Sequence, residues 1–88
     1  MKKIFKYSLV GAEYEEVAMP VGARIVAVAG QADVVCLWAI VDTEAGTRRR
    51  SFQLCGTGDV VPDEGVYLGT AMLFSDTLVL HVFETTRV

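Results

Sequence analysis

Apolar and polar positions alternate along most of this chain, and clusters of glycine, proline and aspartate interrupt the alternation at short intervals. A period of two, broken by turn residues, predicts strands. Residues 2–9 read as a first strand, although Ile4 and Tyr7 break the perfect pattern. Residues 13–18 read as a second, weakened by Glu13, Glu15 and Glu16. Met19-Pro20-Val21-Gly22 is a turn, with proline fixing one dihedral and glycine free to take a positive one. Residues 23–29 and 34–41 are strands joined by Gly30-Gln31-Ala32-Asp33. Thr43-Glu44-Ala45-Gly46-Thr47 is a loop, followed by a strand over 48–55. Gly56-Thr57-Gly58-Asp59 breaks the pattern, and Pro62-Asp63-Glu64-Gly65 is the strongest turn signal. Residues 66–74 and 77–84 form a final hairpin around Ser75-Asp76. No stretch carries a helical period, and there is no repeat, linker or low-complexity segment. The expected fold is all-β: one domain over 1–88, a small antiparallel β-barrel, roll or sandwich of six to seven strands.

Pairing the predicted strands as hairpins assigns faces. With 42–47 as the loop, Val41 faces Arg48, Leu37 faces Phe52, Val35 faces Leu54, Trp38 faces Ser51 and Cys36 faces Gln53. With Gln31-Ala32 as a two-residue loop, Val28 faces Val35 and Val26 faces Leu37. One face then collects Val26, Val28, Val35, Leu37, Phe52 and Leu54, the expected core. The opposite face collects Ile25, Ala27, Ala29, Val34, Cys36, Trp38 and Ile40. Water should meet a polar face there, and this one is apolar. Three coverings compete: curling of the sheet into a barrel or roll, the last hairpin packed on it, or another protomer. Trp38, Ile40 and Cys36 are therefore the candidate interface residues, with Trp38 expected to be mostly buried.

Composition sharpens this picture. Apolar residues make up 52% of the 88 positions and the mean hydropathy is +0.40, high for a chain so short that surface dominates. The excess hints at surface covered by another chain, so a homo-oligomer is expected. The longest apolar run, Val34 to Val41, falls far short of the roughly 20 residues a membrane-spanning helix needs. The start, Met1 to Tyr7, has lysines but no long apolar run behind them, so a secretory signal is not supported. The net charge of −3 argues against general nucleic-acid binding. Two cysteines and one histidine build neither a disulfide framework nor a zinc set, and no metal or cofactor is expected. A cytoplasmic chain with reduced thiols is the simple reading.

Each candidate chemistry has a plainer structural account beside it. His81 alternates onto the side of Val79 and Phe83, with Thr70 opposite if Ser75-Asp76 is the turn; a half-buried strand histidine with one hydrogen bond explains it without a nucleophile or an orienting acid. Cys36 and Cys55 read as small buried hydrophobes, since no cation or helix terminus lowers their pKa. In this register they share a face diagonally across neighbouring strands. Gly56-Thr57-Gly58 lacks the longer glycine pattern or following lysine of a phosphate cradle, leaving a turn or a weak anion nest of backbone amides. Arg48-Arg49-Arg50 is the most functional-looking run. Arg48 and Arg50 share a face, and the guanidinium fork suits phosphate and carboxylate. Arg50, on the core side, could reach into the mouth of a barrel. Arg48, Arg50, Gly56, Thr57, Gly58 and His81 are thus the candidate anion-binding set, and no catalytic constellation is visible.

Several motifs taken in order carry a resemblance. They are Lys3-Ile4-Phe5-Lys6-Tyr7, Met19-Pro20-Val21-Gly22-Ala23, Cys36-Leu37-Trp38-Ala39-Ile40-Val41-Asp42, Gly56-Thr57-Gly58, Tyr67-Leu68-Gly69-Thr70 and His81-Val82-Phe83-Glu84. Together they resemble a family of small phage and prophage proteins of unknown function. The loop at Thr43-Glu44-Ala45-Gly46 is shorter than that resemblance leads one to expect, and residues 85–88 lie beyond it. It lends no functional residue, but it implies a bacterial cytoplasm during infection or lysogeny. Three functions follow as expectations: a non-catalytic binding protein that counters a host defence, by occluding a host protein or sequestering an anionic, nucleotide-like ligand; an accessory structural protein of the virion or its assembly; and, least supported, a small hydrolase using His81.

Overall fold

The computed structural model describes residues 1–86. Seven strands follow one another: β1 (Lys2–Ser8), β2 (Tyr14–Pro20), β3 (Arg24–Gln31), β4 (Val34–Asp42), β5 (Thr47–Gly56), β6 (Val66–Leu73) and β7 (Leu78–Thr85). They pair into two antiparallel sheets, in the orders β1-β4-β3 and β2-β5-β7-β6. The sheets pack face to face as a sandwich, and the expected all-β fold is what forms. Between them lie Val35, Leu37, Ala39 and Val41 from one sheet and Met19, Phe52, Leu54, Ala71, Leu73 and Val82 from the other.

The 42–47 connection does not close a hairpin. Asp42 accepts the Glu44 N–H on its carboxylate at 3.0 Å and the Ala45 N–H on its carbonyl. Gly46 then accepts the Val21 N–H from the link between β2 and β3. The chain therefore arches from one sheet to the other. β4 pairs with β1 and β3, and β5 with β2 and β7. The expected side-by-side partners Leu37 and Phe52, and Val35 and Leu54, are instead all buried in the space between the two sheets. Cys36 and Cys55 consequently belong to different sheets.

The β3–β4 hairpin is present, with its turn at Ala32 (φ 51°) and Asp33 (φ 60°). Two consecutive left-handed residues make the tight turn whose twist matches the flanking strands. Asp33 also accepts the Phe74 N–H at 2.8 Å and ties this turn to that of the β6–β7 hairpin. With the turn moved by one residue, Val28 pairs with Leu37 and Gly30 with Val35. A bulge lies between Ile25 and Ala27. A bulge inserts a residue and shifts the in–out parity on one side of it. That corrects two expectations. Val26, expected in the core, is 43% exposed, and Ile25, expected on the second face, packs against the core.

The link between β1 and β2 turns around a carboxylate. Glu15 accepts the N–H groups of Val10, Gly11 and Ala12 at 2.8–2.9 Å. Three successive amides converging on one anion form a nest. Replacing Glu15 with alanine should leave those donors without their acceptor and cost about 2 kcal/mol, to be read from urea unfolding.

Candidate functional site

Three places gather the residues singled out above. The first is the arginine end of β5. Arg50 points between the sheets, as its position on the core side implies, and its fork is filled there. Nε and Nη2 donate to the two carboxylate oxygens of Glu84 at 2.6 and 2.7 Å, and Nη1 donates to the Ala23 carbonyl. Bonding to Glu84 pushes the guanidinium pKa above its usual value. Arg49 lies 3.7 Å from Glu16 on the outer side. Arg48 is exposed at the strand start, and the adjacent hollow of about 370 Å³ is lined by Glu64 and Glu84 as well as by the three arginines.

The second place is the other end of β5. Gly56 donates its N–H to the Asp59 carboxylate at 2.8 Å, and Asp59 returns its own N–H to the Gly56 carbonyl. Gly58 takes a φ of 94°, a conformation open to glycine and strained for a residue with a Cβ. The turn is thus closed by its own carboxylate, and the neighbouring hollow of about 620 Å³ is lined by Glu13 and Asp59. Thr57 reaches His81. Its Oγ1 lies 2.9 Å from Nε2, while Thr70 Oγ1 lies 2.9 Å from Nδ1. Thr70 pairs with His81 across the final hairpin and is bonded in turn to the Tyr67 hydroxyl. A neutral imidazole donates from one nitrogen and accepts at the other, and hydroxyls serve either role. The chain Thr57–His81–Thr70–Tyr67 therefore staples the segment after β5 onto the outside of its sheet. Arg48 and Arg50 stand at the opposite end of β5, so the structure does not unite the anion-binding set.

The thiols behave as small hydrophobes. Cys55 is 2% exposed and its Sγ–H points at the Val60 carbonyl. Burial first, then the charges of Asp59 and Glu13, push this thiol up. Cys36, also 2% exposed, lies near the Ser8 hydroxyl and the Val34 carbonyl. Both should resist an aromatic disulfide reagent in the native chain and react once urea unfolds it, with native-state labelling slower by about the opening equilibrium.

The third place is the outer face of the β1-β4-β3 sheet. Register puts Lys2, Ile4, Lys6 and Ser8 of β1 beside Asp42, Ile40, Trp38 and Cys36 of β4. Arg24, Ala27, Ala29 and Gln31 of β3 flank the other side. The last hairpin does not cover this face, because β6 and β7 belong to the other sheet. Only Cys36 is shut away; a hydrogen bond of 2.8 Å from Lys6 Nζ to Gln31 spans β4 at its level. Ile4 is 62% exposed and Val34 37%, while Trp38 and Ile40 are half-buried. Trp38, expected to be mostly buried, is half-buried within the single chain and keeps part of its ring open on this face. The cations Lys2, Lys6 and Arg24 around it were not singled out from sequence. Pairing β1 with β4, instead of β5 with β4, is the step that finds them.

Among the described residues no helix is long and apolar enough to cross a membrane, and no cluster of His, Cys, Asp or Glu could hold a metal ion. A family model described as a domain of unknown function (DUF7352) matches residues 1–88. No curated protein and no solved structure matches the chain.

Proposed function

We propose that this chain, which belongs to the DUF7352 family of domains of unknown function, is a non-catalytic binding protein that docks a partner on the outer face of its β1-β4-β3 sheet. The observation that carries this is the apolar strip in which Ile4 and Val34 are exposed and Trp38 and Ile40 between them are half-buried. Soluble domains keep such strips small unless they meet another surface, and aromatic residues within them are the usual anchors. The motif resemblance extends the reading: a phage-type protein in a bacterial cytoplasm, occluding a host protein that takes part in defence. Occlusion is favoured over sequestering an anionic ligand, because Glu84 fills the Arg50 fork and Asp59 takes the Gly56 amide.

Site-specific photocrosslinking tests it. A photoreactive benzophenone amino acid replaces Ala29 on the docking face, or Ala18 on the outer face of the other sheet. In bacteria carrying the phage or prophage, the Ala29 probe should give one discrete adduct with a second protein, and the Ala18 probe none. Equal adducts from both positions, or none from Ala29, would count against the reading.

A further inference from the structure

We infer that the docking face selects a partner protein whose own surface has an apolar centre and an acidic rim, and that a second copy of this chain does not fit it. The inference rests on the docking reading above and names the chemistry of the occupant. Three cations stand on the face, Lys2 and Lys6 from β1 and Arg24 from β3, set around Ile4, Trp38 and Ile40. Its one acid, Asp42, lies at the strand end and is already engaged. The Glu44 N–H reaches it at 3.0 Å and the Met1 ammonium at 3.5 Å, and that backbone hydrogen bond is the first cause holding its carboxyl below the usual carboxylate range. The face is therefore cationic on a chain whose net charge is −3.

Symmetry then decides between occupants. A two-fold contact brings one patch against its own copy, so this face would set lysines and arginine against lysines and arginine. Like charges brought together at an interface are costly, and opposite ones steer encounter. Beside Ile40 and Val41 a hollow of about 560 Å³ is lined by Asp42 as well as by Lys2 and Arg24; Lys2 faces Asp42 across the strand pair and helps to hold its carboxyl low, while neither cation forms a close ion pair among the described residues. A carboxylate side chain entering that hollow would meet both, while apolar side chains beside it cover Ile40 and Trp38.

The test is a display selection of random peptides on the immobilised full-length chain, followed by titration of the recovered synthetic peptides against Trp38 emission. Trp38 is the single tryptophan, so a blue shift reports directly on this face. The expected peptides carry Asp or Glu flanking aliphatic or aromatic residues, shift the emission, and bind about tenfold more weakly to K2E/R24E and in higher salt. Both substitutions are at exposed positions, and the unfolding curve of K2E/R24E checks that the fold is kept. Peptides that shift Trp38 with no acidic bias, or with unchanged affinity for K2E/R24E, overturn this inference and leave the docking reading standing. Peptides that, by anisotropy of a dye-labelled peptide, bind Trp38→Asp as well as they bind the wild type, or no enriched peptide at all, count against the docking reading itself. A concentration-dependent dimer that shields Trp38, or a blue shift on phosphatidylserine-containing vesicles, would assign the face to a second copy or to a lipid surface and overturn the acidic-partner assignment.

Discussion

Gly30→Ala should lower the stability of the folded chain by about 3 kcal/mol, seen as a fall in the urea midpoint at unchanged slope. At Gly30 the inner side of β3 comes against β6, and a Cβ built there would collide with the Met72 carbonyl oxygen and with Leu73 Cδ2. The first of these atoms is backbone of β6, a strand paired with β7, so it cannot swing aside as a flexible side chain would. The same crossing recurs at Gly69, where a Cβ would meet Val28 Cβ at 2.8 Å. Together the two glycines let the edges β3 and β6 pinch one side of the sandwich shut. Gly46→Ala is the matched control. Nothing lies within 4 Å of its added Cβ, and its effect should stay within about 0.5 kcal/mol. If both alanines cost the same, the close approach of β3 and β6 is not a constraint on the fold.

Arg50→Ala should cost about 3 kcal/mol, because it strands Glu84 in a partly buried place. The side chains of Arg50 and Glu84 are 14% and 23% exposed, so solvent screens the pair less than it does a surface pair. The guanidinium links three segments: β5 through its own backbone, β7 through Glu84, and the β2–β3 link through the Ala23 carbonyl. Arg50→Lys keeps the charge and loses the two-pronged geometry, and it should recover less than half of the loss. A double-mutant cycle with Glu84→Gln should give a coupling of about 2 kcal/mol. Additive losses would mean that Arg50 acts through its aliphatic stem alone. The same pairing explains why Arg50, in the most functional-looking run of the sequence, serves the fold. Arginine's suitability for carboxylates is used inside the molecule.

The strands were legible because each half-buried strand writes a period of two, and no segment of the chain competes with a helical period. The core was legible for the same reason. Leu37 and Phe52 show their apolar sides to one interior whether their strands lie edge to edge or face to face. That degeneracy also hid the topology. Alternation cannot tell a hairpin from an arch, and the arch over 42–47 is tied by hydrogen bonds from distant parts of the chain, the Met1 ammonium to Asp42 and the Val21 N–H to Gly46. The bulge beside Val26 carries no glycine or proline to announce it, so Ile25 and Val26 exchanged roles. At the candidate site, the final hairpin placed Thr70 opposite His81 from the turn alone. Thr57 joined them only through tertiary folding of the segment after β5. The internal partners Glu84 and Asp59 are ordinary acids in sequence, separated from Arg50 and Gly56 by folding or by a tight turn, and nothing local marks them as the groups that satisfy those donors.

The second apolar face survived the change of topology, and the last hairpin does not cover it. Trp38 stands on it as the chain's single tryptophan, so its accessibility reports directly on whether a partner covers this face. The decisive measurement is acrylamide quenching of Trp38 in the isolated chain and in the purified complex with the photocrosslinked partner. Acrylamide should quench Trp38 in the isolated chain and be shut out in the complex. Shielding already present in the isolated chain, or quenching unchanged by the partner, would contradict it.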